Sequence, residues 1–317
     1  MTSTRRSARL FLPVLPKSPI SRIAIAILLV GVAAGCDKLG RDKGNPTAPG
    51  GPPAPGSTIV YDAVGASDAD GVGSSVICPP FIPDDCLNGM GYPQVATRQL
   101  KALGFGVSLL NLGIPTAVIG PDFQALGQQY RPNSLILGNF IAGEVPQLRT
   151  NATVVTIFAG GNEINVITAA LGGGAGGADQ TGYIDAQVRA FGADYATLLA
   201  GIRGRAGAPR IIALNVPNLA NFPFLAQAPL SQRQAAQRAA VGMTKTVVNA
   251  LIAQNVIVID VMCDSRMYLP SNYSSDGFHP NDSGYAFIAG EIVRAVTSSS
   301  YPAPQSDCSF MSIVPIL

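Results

Sequence analysis

The chain has 317 residues, enough for one large domain or two small ones. Hydrophobic residues make up 47% and charged residues only 13%, against roughly 25% in an average soluble protein, which excludes a disordered charged chain and a long coiled coil. The net charge of +2 comes from residues 1–35, which hold Arg5, Arg6, Arg9, Lys17 and Arg22 and no acid. The remainder has 16 basic and 19 acidic residues and no basic cluster, so nucleic acid is excluded as an expected partner.

In chain order, the first element is an address. The basic stretch ends at Arg22 and is followed by an apolar run over 23–34. Twelve such residues span about 18 Å as a helix, short for a bilayer, and read as a signal-peptide core. Ala33-Ala34-Gly35-Cys36 resembles a bacterial lipobox, in which the cysteine is lipidated and becomes the new N-terminus. Ala33 is a less usual residue there than leucine, and plain secretion is the alternative. Residues 1–36 are therefore expected to be a lipoprotein signal, and 37–56 a tether. Nine of the thirteen residues in 44–56 are Gly or Pro, which forbids a helix or a paired strand. The folded domain is expected to span 57–317. Export to the cell envelope, periplasmic or at the outer surface, with a lipid anchor to the membrane, follows from this reading.

Cysteine usage agrees with export. Apart from Cys36, four remain: Cys78, Cys86, Cys263 and Cys308. Three pairings are open to them, and four unpaired buried thiols are the alternative. Proximity favours Cys78–Cys86, which leaves Cys263–Cys308 to tie the last strand to the segment beyond the last helix. Their spacing fits no zinc pattern, so no metal site is expected.

Short, nearly continuous apolar runs occupy 58–64, 107–112, 153–158, 210–216 and 256–261. Runs of this kind are strands buried on both faces of a parallel sheet. Helical spacing of apolar residues marks 92–103, 184–203, 231–253 and 282–297. The alternation predicts an α/β sandwich of three layers, with helices on both faces of a five-stranded parallel sheet. Residues 114–150 are punctuated by Gly and Pro, with room for short helices, and 217–230 form an apolar loop.

In an open parallel sheet, ligands sit beyond the carboxyl ends of the strands. The segments found there are Gly65-Ala66-Ser67-Asp68, Asn111-Leu112-Gly113, Ala159-Gly160-Gly161-Asn162-Glu163 and Asp276-Gly277-Phe278-His279-Pro280. A serine hydroxyl is a poor nucleophile until a base takes its proton, and imidazole suits that task. His279 is the only histidine, so it is the base for Ser67 or there is none. Asp276, three residues earlier, is placed to orient it. The backbone N–H groups of Ser67 and Gly113 and the amide of Asn162 are the expected oxyanion donors.

These four segments resemble, in order, the four blocks of the SGNH hydrolases, the GDSL-type lipase/esterase family named for its Ser, Gly, Asn and His. The stretch from Asp276 to Tyr285 is the most specific part, and Leu214-Asn215-Val216-Pro217-Asn218 resembles a further block. The likeness spans about 58–298. It implies a flavodoxin-like sheet and ester hydrolysis through Ser67, His279 and Asp276, with no cofactor. Two positions depart from the family: Ala66 stands where Asp is usual, and Glu163 where Asp is frequent.

Each residue alone has a plainer reading: Ser67 and Asp276 in turns, Gly113 at a strand end, Asn162 as a helix cap, His279 in a surface loop. Order and conjunction favour the catalytic one. An inactive surface lipoprotein on the same fold, acting as a binding or envelope-structural module, is the rival reading, and Ala66 is its support. The apolar segments 114–150 and 217–230 favour lipid or fatty-acyl esters as substrates. Gly172–Gly177 formally matches GxGxxG but does not directly follow a strand, so a flexible loop is expected there. Asn281 is expected to cap the last helix.

Overall fold

The structure, a computed structural model, describes residues 51–317 except 83, 85, 87 and 132–134. The expected signal segment, Cys36 and most of the tether lie outside the described residues.

Five strands form one parallel sheet: β1 (Thr58–Val64), β2 (Gly106–Asn111), β3 (Val154–Phe158), β4 (Arg210–Leu214) and β5 (Ile257–Ile259). Their order is β2-β1-β3-β4-β5. β3 and β4 are buried along their whole length, as the unbroken apolar runs require. Asp62 is the charged residue of β1. It is fully buried and accepts from the Arg149 backbone N–H and from its guanidinium at 2.6 Å, so the charge is paired where it is desolvated.

The helices are α1 (Ser67–Asp70), α2 (Tyr92–Ala102), α3 (Pro121–Tyr130), α4 (Gly161–Gly172), α5 (Gln180–Ala206), α6 (Leu230–Gly242) and α7 (Asp282–Thr297). Pro93 and Pro121 sit in the first turns of α2 and α3, where the missing N–H costs nothing. α2 packs on α7, while α4, α5 and α6 pack on one another. Right-handed crossovers in this strand order put those two groups on opposite faces of the sheet. Asn281 caps α7 as expected, accepting from Ser283 N and Gly284 N. The glycine run 173–177 is the turn between α4 and α5.

Both favoured cysteine pairs are bonded, Cys78 to Cys86 and Cys263 to Cys308. The second ties down the segment that follows α7. Within that segment, Phe310 stacks on Tyr268 with ring centroids 4.5 Å apart, and its carbonyl accepts from Asn218 Nδ2. Val314 exchanges two hydrogen bonds with the Gln237 side chain on α6.

Three buried acids make stability depend on pH. Burial raises the Asp70 carboxyl to about 8, against a hydrogen bond from Asn111. Burial raises Glu163 to about 7, against hydrogen bonds from backbone N–H groups, and lifts Glu144 well above the usual range. Each keeps a proton on folding that the unfolded chain releases near pH 4. Stability therefore falls as pH rises from about 4 through about 8. The melting temperature is expected to drop by several degrees between pH 5 and pH 8.5, and Asp70→Asn to flatten part of that slope. A level profile from pH 5 to 8.5 would contradict the assignment.

Candidate active site

The order β2-β1-β3 places a topological switch point between β1 and β3, where a crevice opens at the carboxyl edge. Ser67 follows β1 and Asn162 follows β3, so both stand at that crevice. Ser67 begins the single helical turn α1, which Gly71 closes in a left-handed conformation at φ 81°. Its N–H is at the first helical position and has no carbonyl of the turn to receive it.

His279 arrives from the other end of the sequence. Its Nε2 lies 2.9 Å from Ser67 Oγ, and its Nδ1 lies 2.6 Å from Asp276 Oδ2. The other Asp276 oxygen accepts from Phe278 N, His279 N and Ser274 Oγ at 2.8–2.9 Å. Burial pushes the Asp276 carboxyl up, but these bonds, the one from the imidazole foremost, outweigh it and hold its pKa at about 2. Asp276 therefore carries its charge throughout the neutral range. Gly277 is required here: at φ 67° a side chain is strained, and a Cβ would lie 2.7 Å from Phe224 N.

What presses this loop against α1 was not legible in the sequence. Tyr285 donates its hydroxyl hydrogen to Val72 O, and Ser75 donates through N and Oγ to the Asp282 carboxylate. Gly73, at φ 92°, leaves no room for a Cβ, which would sit 2.8 Å from His279 Cβ. The segment after Ser67 and the start of α7 are thus stitched together, and the stitching sets the Ser67–His279 distance.

The Asn162 side chain donates through Nδ2 to Ala117 O at 2.9 Å, which fixes the amide and leaves its second N–H. It is not the helix cap: α4 begins at Gly161, and Glu163 supplies the capping carboxylate by accepting from Gly160 N. Glu163 also accepts from Ile119 N, so the acid at this departure from the family pattern ties the Asn162 loop to the neighbouring one.

Gly113 follows β2 at the same edge. Its N–H donates to Asn111 Oδ1 at 3.1 Å. A Cβ there would lie 2.6 Å from the Ala69 Cβ and 2.7 Å from Ala66 O. Glycine is needed because α1 lies directly against it. Asn111 completes the contact by donating to Ala69 O and Asp70 Oδ1. Asn218, in the further family block, is likewise a tie: it bonds Gln237, Phe310 and Ala220.

Beside the serine lies a small cavity of about 30 Å³. Ala66 and Asp68, the neighbours of Ser67, line it together with Asn162, Phe278, Phe158 and Leu219. Burial raises the Asp68 carboxyl, and the charge of His279 offsets part of the rise. Sequence reasoning did not single out this acid next to the nucleophile.

The family model described as GDSL-like Lipase/Acylhydrolase matches residues 63–287, which takes in all four strand-end segments. The chain belongs to the GDSL-like lipase/acylhydrolase family. Membership makes this GDSL-like protein an ester hydrolase at the level of the family. No curated protein matches it in sequence. Among solved structures, it is similar to the lipase Lip_vut3 from a goat rumen metagenome, at 19% identity and a TM-score of 0.51, over 75% of this chain and 98% of that one. An extracellular lipase from Streptomyces rimosus gives 17% identity and a TM-score of 0.47, over 76% and 100% of the two chains. The acetyl xylan esterase AlAXEase gives 15% and 0.44, over 75% and 100%. The first of these likenesses shows a shared fold: the GDSL-like protein has the flavodoxin-like α/β sandwich expected from its sequence.

Proposed function

We propose that this protein is a serine esterase in which Ser67, His279 and Asp276 act as one unit. The Ser67 oxygen attacks the ester carbonyl carbon while His279 Nε2 takes the hydroxyl proton. Asp276 holds the imidazole with Nδ1 protonated and stabilises the imidazolium. The Ser67 N–H and the free N–H of Asn162 receive the oxyanion. The carbon–oxygen bond to the alcohol then breaks, and His279 gives its proton to the departing alkoxide. Water attacks the acyl-enzyme with His279 again as base, releasing the acid and restoring Ser67. The observation that carries this reading is the unbroken line Asp276–His279–Ser67, with contacts of 2.6 and 2.9 Å across 212 residues of chain. Incubation with diethyl p-nitrophenyl phosphate is expected to add one diethylphosphoryl group, located on Ser67 by peptide mass mapping, and to abolish p-nitrophenyl acetate hydrolysis. Full activity after stoichiometric labelling of Ser67 would overturn the assignment.

We also propose that the protein is exported and held at a bacterial membrane through lipidated Cys36. The signal-like residues 1–36 and the two disulfides support this. Cys36→Ala is expected to move the expressed protein from the membrane fraction to the soluble one; an unchanged distribution would contradict it.

A further inference from the structure

Ser67 opens a helical turn that has no cap of its own. The residue at the N-cap, Ala66, carries only a methyl group and makes no side-chain bond to the turn. The exit of the turn is held by Asn111, which donates to Ala69 O and Asp70 Oδ1. The entry is Gly65, just past the end of β1, where pairing with β3 stops at Val64. There the Gly65 N–H donates to Glu144 Oε2 at 3.0 Å, a bond across 79 residues of chain. The Gly65 carbonyl accepts from Ile114 N at 3.3 Å. Among the described residues, Glu144 is the one side chain hydrogen-bonded to this entry.

Glu144 is 0% exposed, and its other oxygen, Oε1, is buried with no hydrogen-bond partner among the described residues. A carboxyl buried in this way lowers stability relative to a well-packed apolar residue of similar size. Burial also lifts its pKa well above the usual carboxylate range, so Gly65 meets the acceptor oxygen of a neutral acid. Groups that break the rules of burial at a cost to the fold are concentrated at functional sites. Glu144 does not itself line the cavity beside Ser67. Its reach toward the chemistry is through Gly65 alone.

From this placement we propose that Glu144 is a positioning residue of the esterase: by holding the Gly65 N–H it fixes the backbone that enters the nucleophile turn, and so aims Ser67 Oγ at the ester carbon and the Ser67 N–H at the oxyanion. The proposal rests on the esterase reading above and deepens it. A misplacement of about 1 Å at the reacting atoms can lower the rate about 10²-fold.

The test compares Glu144→Gln, which keeps an acceptor oxygen in the same shape, with Glu144→Met, which keeps the length and loses the carboxyl. The kcat for p-nitrophenyl acetate is expressed per active site, counted by labelling Ser67 to completion with diethyl p-nitrophenyl phosphate, so that unfolded protein does not register as a slower enzyme. Glu144→Met is expected to lower this kcat about 10–100-fold with a much smaller change in KM. Glu144→Gln is expected to keep most of the wild-type kcat. Glu144→Leu is the second apolar variant should the first fail to fold. A per-site kcat that the apolar variant leaves unchanged, whatever its melting temperature, would make Glu144 a structural tie and overturn this proposal alone. So would a glutamine variant as slow as the apolar one, a loss confined to KM, or failure of both apolar variants to fold. Absence of Ser67-dependent turnover in the wild-type protein overturns the esterase reading, and this proposal with it.

Discussion

Ser67→Ala and His279→Ala are each expected to lower kcat for p-nitrophenyl acetate by about 10⁴-fold or more, and the double variant to be scarcely worse than either alone. The reason is geometric. Oγ and Nε2 already stand 2.9 Å apart, so removing either atom removes the whole proton transfer. Asp276→Asn is expected to cost about 10⁴-fold as well, although it alters a group that never touches substrate. The amide nitrogen cannot accept from Nδ1, so the imidazole loses the tautomer in which Nε2 is a base. The backbone bonds from Phe278 and His279 still have the amide oxygen to meet, so the loop is expected to keep its shape. Steady-state kinetics, with circular dichroism to confirm folding, check all three. A fall of tenfold or less in Ser67→Ala would place the nucleophile elsewhere.

Asn162→Ala is expected to lower kcat by about 10²–10³-fold with a much smaller change in KM. An oxyanion donor acts on charge that develops only in the transition state, so its loss appears in kcat. Asn162 is well suited to that task because Ala117 O holds one amide hydrogen and thereby aims the other. A variant that raised KM and left kcat alone would show that Asn162 binds the ground state instead.

The sheet was legible because its strands are buried on both faces. β1 and α7 fall on the residues the pattern indicated, and β2, β3 and β4 differ only at their ends. α4 escaped notice. Gly160, Gly161 and Gly172 bracket it, and the glycines read as punctuation. The helix expected over 231–253 leaves α-helical geometry at Gly242 and continues as a π turn, Met243–Val248, followed by a 3₁₀ stretch. Crowded β-branched residues occur there, and the Thr244 hydroxyl accepts from the Val216 N–H and donates to the Val216 carbonyl. The serine, histidine and aspartate were visible because side-chain chemistry is written in residue identity. The direction of the Gly113 N–H was not, since it depends on how a neighbouring loop folds over α1. The contacts of Tyr285, Ser75 and Asp282 were hidden for the same reason: each joins segments more than 200 residues apart.

The disulfide-tethered segment around Phe310 has a consequence for how the imidazole keeps its place. Phe310 leans on Tyr268, Tyr268 on Phe222, Phe222 on Phe278, and Phe278 meets the His279 ring edge-on at 4.9 Å. This is a mechanical buttress with four links, its outer end anchored by the covalent bond from Cys263 to Cys308. Residues that never approach an ester thereby share in the upkeep of the catalytic base, and slackening at the far anchor would reach the proton-transfer step through packing alone.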